Sequence, residues 1–228
     1  MRTFRKQILK FNEDVARFNI ESFNSEVKIV NPFVDRAQDV NRRIDEFYLR
    51  YYNDTKKRRL ILGSTPARQG SAVTGIPFED VNTLEGISEK KGASKRSVNF
   101  LETVIARYGG RDIFYRDFLM NFVCPLSLIK INSKGQEVNC NYYESKVLKE
   151  KLSGMIVESL MKLSAFPVDN SVAYCIGSGE NYKFLSKINE EYRFFDKIIP
   201  LEHPRFIMQY HSKEKEMYVK KYMEALSE

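Results

Sequence analysis

The chain has 228 residues, of which 43% are hydrophobic, and its 37 Lys and Arg residues against 30 Asp and Glu give a net charge of +7. No apolar run approaches the roughly 20 residues of a membrane span, and the charged N-terminal stretch lacks the apolar core of a signal peptide, so we expect a cytoplasmic, single-domain protein. The three widely spaced cysteines, Cys124, Cys140 and Cys175, argue against a disulfide framework and against a zinc or iron–sulfur site.

The first part of the chain, residues 1–55, is predicted to be helical. Apolar residues at helical spacing indicate one helix over residues 2–24 and a second over residues 36–53. A short buried strand follows at residues 58–62, and a long glycine-rich connection then occupies residues 63–93. A connection of this length is unusual in a compact domain unless it has a function.

The remainder of the α/β core, which spans residues 56–228, alternates helices with short apolar strands. In chain order, the pattern predicts a helix at 95–108, a strand at 117–124, a helix at 144–164, a strand at 172–176, a helix after Gly179, a strand within 194–201 and a helix at 212–226. This alternation is typical of a parallel sheet with helices on both faces.

Ligands of such sheets bind at the carboxyl ends of the strands. Four connections leave those ends, and all are rich in Gly, Pro, Asn, His or aromatic residues: residues 63–78, 125–143, 177–181 and 202–211. We therefore expect these four connections to share one cleft.

The connection at residues 63–78 contains three glycines, whose backbone can adopt positive φ and approach an anion or the edge of a flat ring. It is not a Walker loop, because no Gly-Lys-Ser/Thr follows, and it is not a dinucleotide fingerprint, because no helix begins at once. Phe78 follows Pro77 and either stacks on a planar ligand or closes the core of the turn.

The other connections offer further polar groups. His203 lies beside Arg205 at a strand end, where it could stabilise an anion that develops during a reaction or simply be a satisfied structural residue. Ser178 lies between two glycines at a helix start, which is a weak anion-site signal on its own. Asn141 precedes two tyrosines and also fits a plain loop.

The order of these motifs carries a resemblance. Gly63-x-x-Pro66, Thr74-Gly75-x-Pro77-Phe78, Cys124-Pro125-Leu126 and His203-Pro204 together resemble the uracil-DNA glycosylase superfamily. The stretches KFLSKINEE and HPRFIMQY are similar to the second, bacterial subfamily of its single-strand-selective monofunctional branch.

The resemblance implies a three-layer α/β/α sandwich around a four-stranded, mainly parallel sheet. It implies hydrolysis of the bond between a damaged base and deoxyribose, after the base is swung out of the helix. It also implies that DNA is the partner, that the protein acts as a monomer, and that the reaction needs no metal, no other cofactor and no covalent nucleophile.

Roles carried over from the family fall on particular residues. Phe78 matches the stacking aromatic, His203 matches the histidine that stabilises charge on the departing base, and Gly63 would line the base pocket. The candidate DNA contacts are Arg68, Gly70, Ser178 and the three possible wedge residues Arg205, Phe206 and Ile207.

Two positions depart from the family pattern. Where relatives often have an Asn that orients the attacking water, this chain has Thr65, and we name Asp80 as a substitute, with Glu79 or Ser64 as alternatives. Relatives often place a base-reading Asn just before Cys-Pro-Leu. Here Asn121 lies one position too early, which on a strand turns the side chain to the other face, so Asn141 or backbone groups are alternative readers.

Three hypotheses follow from the sequence. The first is a monofunctional DNA glycosylase for uracil or another deaminated or modified base. The second, motivated by Thr65, is a module on the same fold that binds modified DNA without cleaving it. The third is a hydrolase or transferase of small phosphorylated metabolites that uses the same strand-end cleft.

Overall fold

The structure is a computed structural model that describes residues 3–18, 27–35, 37–84 and 93–227. Its helices, in chain order, are α1 (Phe4–Ala16), α2 (Pro32–Asp35), α3 (Ala37–Tyr52), α4 (Ser71–Thr74), α5 (Val81–Leu84), α6 (Ala93–Tyr108), α7 (Arg111–Asp117), α8 (Lys146–Ser164), α9 (Glu180–Tyr192), α10 (Pro204–Tyr210) and α11 (Lys215–Leu226). None of the helices in these ranges is long and apolar enough to cross a membrane.

Within the described ranges, the strands form two separate sheets. They are β1 (Val27–Val30), β2 (Arg58–Gly63), β3 (Phe118–Phe122), β4 (Ser127–Ile131), β5 (Glu137–Cys140), β6 (Val168–Ile176) and β7 (Lys197–Leu201). The central sheet has the order β3-β2-β6-β7, and all three of its strand pairs are parallel. The predicted four-stranded parallel sheet is confirmed.

Helices cover both faces of this sheet in a three-layer α/β/α arrangement. On β2 the run Leu60-Ile61-Leu62 is almost fully buried, as expected for a central strand covered on both sides. Helix α1 contacts both α3 and α8, and helices α6, α10 and α11 contact one another in a second group.

A second, antiparallel sheet with the order β1-β4-β5 was not predicted. Strands β4 and β5 form a hairpin inside the segment that the sequence indicated as a plain connection, residues 125–143. Strand β1 pairs with β4, so the N-terminal part of the chain is not only helical as predicted. These strands have four or five residues each and include polar positions, which is why their apolar pattern is weak.

The helix boundaries also differ from the prediction. Helix α1 ends at Ala16 instead of residue 24, and residues 19–26 lie outside the described ranges. The segment HPRFIMQY, predicted as a loop, contains α10, which has Pro204 at its first position, where the fixed φ of proline suits a helix. Helix α7, between Gly110 and β3, was also missed.

Helix α3 packs directly against the glycine-rich connection. Gly75 ends α4 with a φ of +72°, and a Cβ at this position would overlap with Val40 of α3. Only glycine combines that backbone conformation with so close an approach, so Gly75 fixes the contact between the N-terminal part and the cleft.

Candidate active site

The four connections predicted to share a cleft lie next to one another along one edge of the central sheet. Cys124 N–H donates to the Ser64 carbonyl at 2.9 Å, and this bond joins the connection at residues 63–78 to the start of the connection at residues 125–143. The Tyr142 hydroxyl donates to Asn181 Oδ1 at 2.7 Å, and Gly177 N–H donates to the Leu201 carbonyl at 2.8 Å. The first of these bonds joins the connection at residues 125–143 to that at residues 177–181. The second joins the connection at residues 177–181 to the start of that at residues 202–211.

Gly63 ends β2 at a point where no side chain fits. A Cβ there would lie 2.5 Å from Phe78 Cζ and 3.0 Å from Phe122 Cδ1. The two rings stack on each other with centroids 5.1 Å apart and planes inclined by 23°. Gly63 therefore lets two aromatic rings pack on the end of the strand, and Phe122, which the sequence did not single out, belongs to the site.

The partly exposed Phe78 has a φ of +63°, which is a strained backbone conformation for a residue with a bulky side chain. Its N–H donates to Ser71 Oγ at 2.8 Å. The buried Thr74 hydroxyl donates to the Glu79 carbonyl at 2.9 Å and accepts from Ile76 N–H at 3.1 Å. Side chains on both sides of Phe78 thus hold the turn that presents its ring.

A buried ion pair anchors the residue after Phe78. The Glu79 carboxylate is 2% exposed and accepts from two Arg111 nitrogens, at 2.9 and 3.1 Å, and from the Tyr115 hydroxyl at 2.6 Å. Burial raises the pKa of Glu79, and Arg111 opposes that effect. With three donors engaged on a buried carboxylate, Glu79 is a structural anchor and not a free base.

Asp80, the predicted substitute for the missing Asn, is 9% exposed. Its backbone carbonyl accepts from Leu84 N–H at 3.1 Å and so begins α5. Its catalytic role stays a prediction.

Thr65 and Asn141 come together although 76 positions separate them. The Thr65 hydroxyl donates to Asn141 Oδ1 at 3.2 Å, and the Ser64 hydroxyl donates to the same oxygen at 2.9 Å. The other end of the amide, Asn141 Nδ2, donates to Glu144 Oε1 at 3.2 Å. With both ends of its amide bonded to protein, Asn141 keeps little capacity to read a base edge.

Asn121 is 7% exposed, and its Oδ1 accepts from Phe122 N–H at 2.8 Å. It lines a cavity of about 20 Å³ together with Phe11, Asn12, Pro32, Phe33, Tyr48, Pro66, Ser71, Gly75, Pro77, Phe122 and Pro125. A cavity of this size holds about one water and no base. The base-reading role of Asn121 stays a prediction, and it would require these side chains to move.

His203 precedes α10 and caps its N-terminus. Its Nδ1 accepts from Arg205 N–H at 3.0 Å, so in the neutral ring the proton is on Nε2. Burial lowers the pKa of His203 to about 4, and the charge of Arg205 acts in the same direction. The Tyr222 hydroxyl donates to the preceding Glu202 carbonyl at 2.6 Å. His203 is therefore a fixed, neutral hydrogen-bond donor near pH 7.

The distance between the two halves of the cleft follows from the sheet. Neighbouring strands lie about 4.8 Å apart, and β6 separates β2 from β7, so their carboxyl ends lie about 10 Å apart. Gly63 ends β2 beside the Phe78 ring, and His203 follows two residues after Leu201, the last residue of β7. An aromatic plate and a neutral imidazole thus lie on the same edge.

The surface of α10 corrects one prediction. Arg205 and Phe206 are exposed, Phe206 at 45%, and the Phe206 ring lies 5.6 Å from that of Tyr210, which is 66% exposed. Ile207 is 0% exposed and packs in the core. A residue that is fully buried cannot wedge between bases, so the DNA-contact role predicted for Ile207 is wrong.

The remaining candidate DNA contacts differ in exposure. Arg68 lies beside a groove of about 880 Å³, with its guanidinium 3.6 Å from Glu137. Gly70 is buried, and a Cβ there would meet only ordinary contacts, so space does not require glycine. Ser178 is exposed before α9, whose first turn carries Glu180, a carboxylate that repels anions.

The three cysteines are free and buried. In the part of the chain that the structure describes, no group of three or more His, Cys, Asp or Glu side chains could hold a metal ion.

Comparisons with known proteins agree on one family. The sequence model of the uracil DNA glycosylase superfamily matches residues 49–227. Among solved structures, the crystal structure of wild-type Pedobacter heparinus SMUG2 is similar to this chain with a TM-score of 0.89 and 38% sequence identity. The alignment covers 100% of this chain and 98% of that one. No curated protein matches this chain significantly.

Proposed function

Because the chain belongs to the uracil-DNA glycosylase superfamily, we propose that it is a monofunctional DNA glycosylase. Its reaction is hydrolysis of the N-glycosidic bond of uracil or another deaminated or modified base in DNA, as in base excision repair. The single observation that carries this proposal is the neutral His203 held as an Nε2–H donor on the same sheet edge as the Phe78 ring.

The chemistry needs a donor rather than a cation at this position. When the bond between C1′ and the base nitrogen breaks, the electron pair leaves with the base, and the sugar becomes an oxocarbenium ion. A preorganised N–H from His203 stabilises the negative charge that develops on the base oxygen. Because the ring is already neutral and its other nitrogen is bonded to Arg205 N–H, the donor needs no reorientation as the reaction proceeds.

The flipped base stacks on Phe78, whose turn is held on both sides by hydrogen bonds. Water then forms the new C1′–O bond and loses its proton to the departing base anion or to solvent, so no covalent enzyme intermediate is needed. No lysine occupies the motif positions, and a lyase step through a Schiff base is not expected.

The exposed side chains of α10 are the residues that we propose to contact DNA. Arg205 neutralises phosphate, and Phe206 enters the base stack at the gap left by the flipped nucleotide. Arg68 is a more peripheral candidate for a phosphate contact, and Ser178 is a weaker one because Glu180 follows it in the first turn of α9. All of these groups belong to one chain, and we propose that the protein acts as a monomer.

Base release from a panel of oligonucleotides tests this function. Single- and double-stranded DNA carrying uracil, xanthine, hypoxanthine or hydroxymethyluracil is incubated with the protein and then treated with alkali, which cleaves at abasic sites. We expect alkali-dependent cleavage for at least one base, and none for an unmodified strand. Cleavage without alkali would contradict the monofunctional assignment, and folded protein that leaves every substrate intact would contradict the enzyme.

A second candidate function is a module that binds modified DNA without cleaving it. It is favoured by Thr65 in place of the usual water-orienting Asn and by the small cavity beside Phe122. High affinity for lesion-containing DNA with no abasic product would support this function instead.

A further inference from the structure

The orientation of the Asn141 amide is determined by its neighbour Glu144. One carboxylate oxygen of Glu144 accepts from Asn141 N–H at 2.8 Å and from Asn141 Nδ2 at 3.2 Å, and its other oxygen pairs with Lys130. Burial raises the pKa of Glu144, but the contacts with Lys130 and Asn141 outweigh it and hold the pKa below its usual value. An ionised carboxylate only accepts, so the amide atom facing it must be the nitrogen.

The carbonyl end of the same amide therefore faces the two hydroxyl groups at the end of β2. Asn141 Oδ1 has no proton, so both hydroxyls must donate to it, Ser64 at 2.9 Å and Thr65 at 3.2 Å. A hydroxyl has one proton, and each of these is used in the bond to Asn141. What the Thr65 oxygen still offers is lone pairs, which can only accept.

Of the two hydroxyls, only that of Thr65 can serve a ligand in the cleft. Ser64 is buried at 7% exposure, whereas Thr65 is partly exposed. A water bound to the Thr65 oxygen must donate one of its protons and so keeps a lone pair directed elsewhere. That is the orientation a water needs in order to attack C1′ of the sugar.

We propose that Asn141 is a positioning residue for the attacking water, acting through Thr65. Thr65 occupies the motif position of the water-orienting Asn, and the amide that orients its hydroxyl comes from the segment after β5, 76 positions away. The proposal rests on the proposed glycosylase function. It assigns Asn141 to the chemical step and not to base reading. Thr65 then takes over the role of the water-orienting Asn instead of marking the loss of that role.

Single-turnover kinetics of four variants test the proposal on the oligonucleotide with the highest rate of base release. Asn141→Ala and Thr65→Val should each lower the rate constant of base release about 10²-fold, while the Kd for the substrate DNA changes less than threefold. Thr65→Ser keeps the hydroxyl and should retain the rate within a few-fold. The double variant Asn141→Ala/Thr65→Val should be no slower than the slower single variant, because the two residues act as one unit.

Asn132→Ala is the matched control. Asn132 stabilises the turn of the same β4–β5 hairpin but has no bond to Thr65, so its replacement loosens the hairpin without releasing the hydroxyl. A rate loss in Asn132→Ala equal to that of Asn141→Ala would overturn the proposal in favour of hairpin distortion. If Asn141→Ala does not fold, the Thr65→Val and Thr65→Ser pair decides, since equal rates for these two also overturn it.

The outcomes separate this proposal from the function on which it rests. An inactive wild-type protein would contradict both the glycosylase function and the positioning role of Asn141. An active wild type with an unchanged rate in Asn141→Ala removes only the positioning role. An Asn141→Ala variant that changes its preference among bases at an unchanged maximal rate identifies Asn141 as a base reader, which also overturns the proposal.

Discussion

The two halves of the cleft are built in different ways. In the Phe78 half, hydrogen bonds of the Ser71 and Thr74 hydroxyl groups and the buried ion pair of Glu79 hold Phe78 in its strained backbone conformation. The His203 half is held by few bonds and leads into a helix whose rings face solvent. The Phe78 half is therefore the more rigid of the two, and the α10 half exposes the rings that we propose to contact DNA.

Removing the imidazole should have the largest effect on activity. We expect His203→Ala to lower the rate of base release by about 10²–10³-fold, because a preorganised donor to the developing anion is lost. Single-turnover assays on the preferred oligonucleotide measure this. His211→Ala is the control, since this second histidine lies after α10 and bonds to Glu214. Equal losses in both variants would show that the effect comes from the helix and not from the donor.

Breaking the buried anchor should have the largest effect on stability. Arg111→Met leaves the buried Glu79 carboxylate without its cation, and we expect the free energy of unfolding to fall by about 3 kcal/mol, the lower end of the range because Arg111 is itself partly exposed. Urea denaturation measures this value.

The matched control for Arg111 is Arg107→Met, which removes the exposed pair with Glu216 at 3.0 Å. An exposed ion pair contributes about 0–1 kcal/mol, so this variant should unfold almost like the wild type. Similar losses in the two variants would contradict the view that the Phe78 half is anchored by burial.

Removing the exposed Phe206 ring of α10 should weaken DNA binding and leave the free energy of unfolding almost unchanged. Phe206→Ala removes a ring that is 45% exposed, so the free energy of unfolding should change by less than about 0.5 kcal/mol. Loss of base stacking should weaken DNA binding by about 1 kcal/mol, roughly fivefold in Kd. Fluorescence anisotropy with labelled DNA measures the affinity, and an unchanged Kd would remove Phe206 from the proposed wedge.

Between pH 5 and 8 the donor should show no titration. The pKa of His203 is about 4, below the ordinary value near 6.5, so the ring stays neutral across this range and the rate of base release should not change with its protonation. Protonation near pH 4 places a proton on Nδ1 and breaks the bond from Arg205 N–H. NMR titration of the imidazole gives the midpoint, and a value near 6.5 would contradict this.

The lowered pKa of His203 also makes the free energy of unfolding depend on pH. Between pH 6.5 and 4 the unfolded chain binds a proton at His203 that the folded protein does not bind. The free energy of unfolding contributed by this residue is therefore fully present above pH 6.5 and falls as the pH is lowered toward 4.

The central sheet could be predicted because its strands are short, apolar and separated by clear helices. The run Leu60-Ile61-Leu62 and the glycines after it indicate a buried strand that ends in a turn, and the structure has that strand. The small sheet was missed because its strands are very short: β5 is Glu137-Val138-Asn139-Cys140, and an alternation of polar and apolar residues over four positions is at the lower limit of a strand signal.

The residues of the candidate site could also be predicted only in part. Phe78 and His203 follow strands and could be singled out from the sequence, but the partners of Thr65 and Glu79 could not. Asn141 lies 76 positions from Thr65, and Arg111 lies 32 positions from Glu79. A periodic pattern reports which face of an element is buried, and it does not report which distant polar groups meet there. The burial of Ile207 was missed for a related reason, since α10 was read as a loop.

The contact between Gly75 and α3 has a practical consequence for shortening the chain. The family match begins at residue 49, which invites a truncation that removes α1, β1 and most of α3. Such a protein would lose the Val40 side chain that packs on Gly75 and the strand that pairs with β4. Those N-terminal residues pack against the Phe78 side of the cleft, and we expect a truncated protein to lose the conformation of the turn around Phe78 before it loses its central sheet.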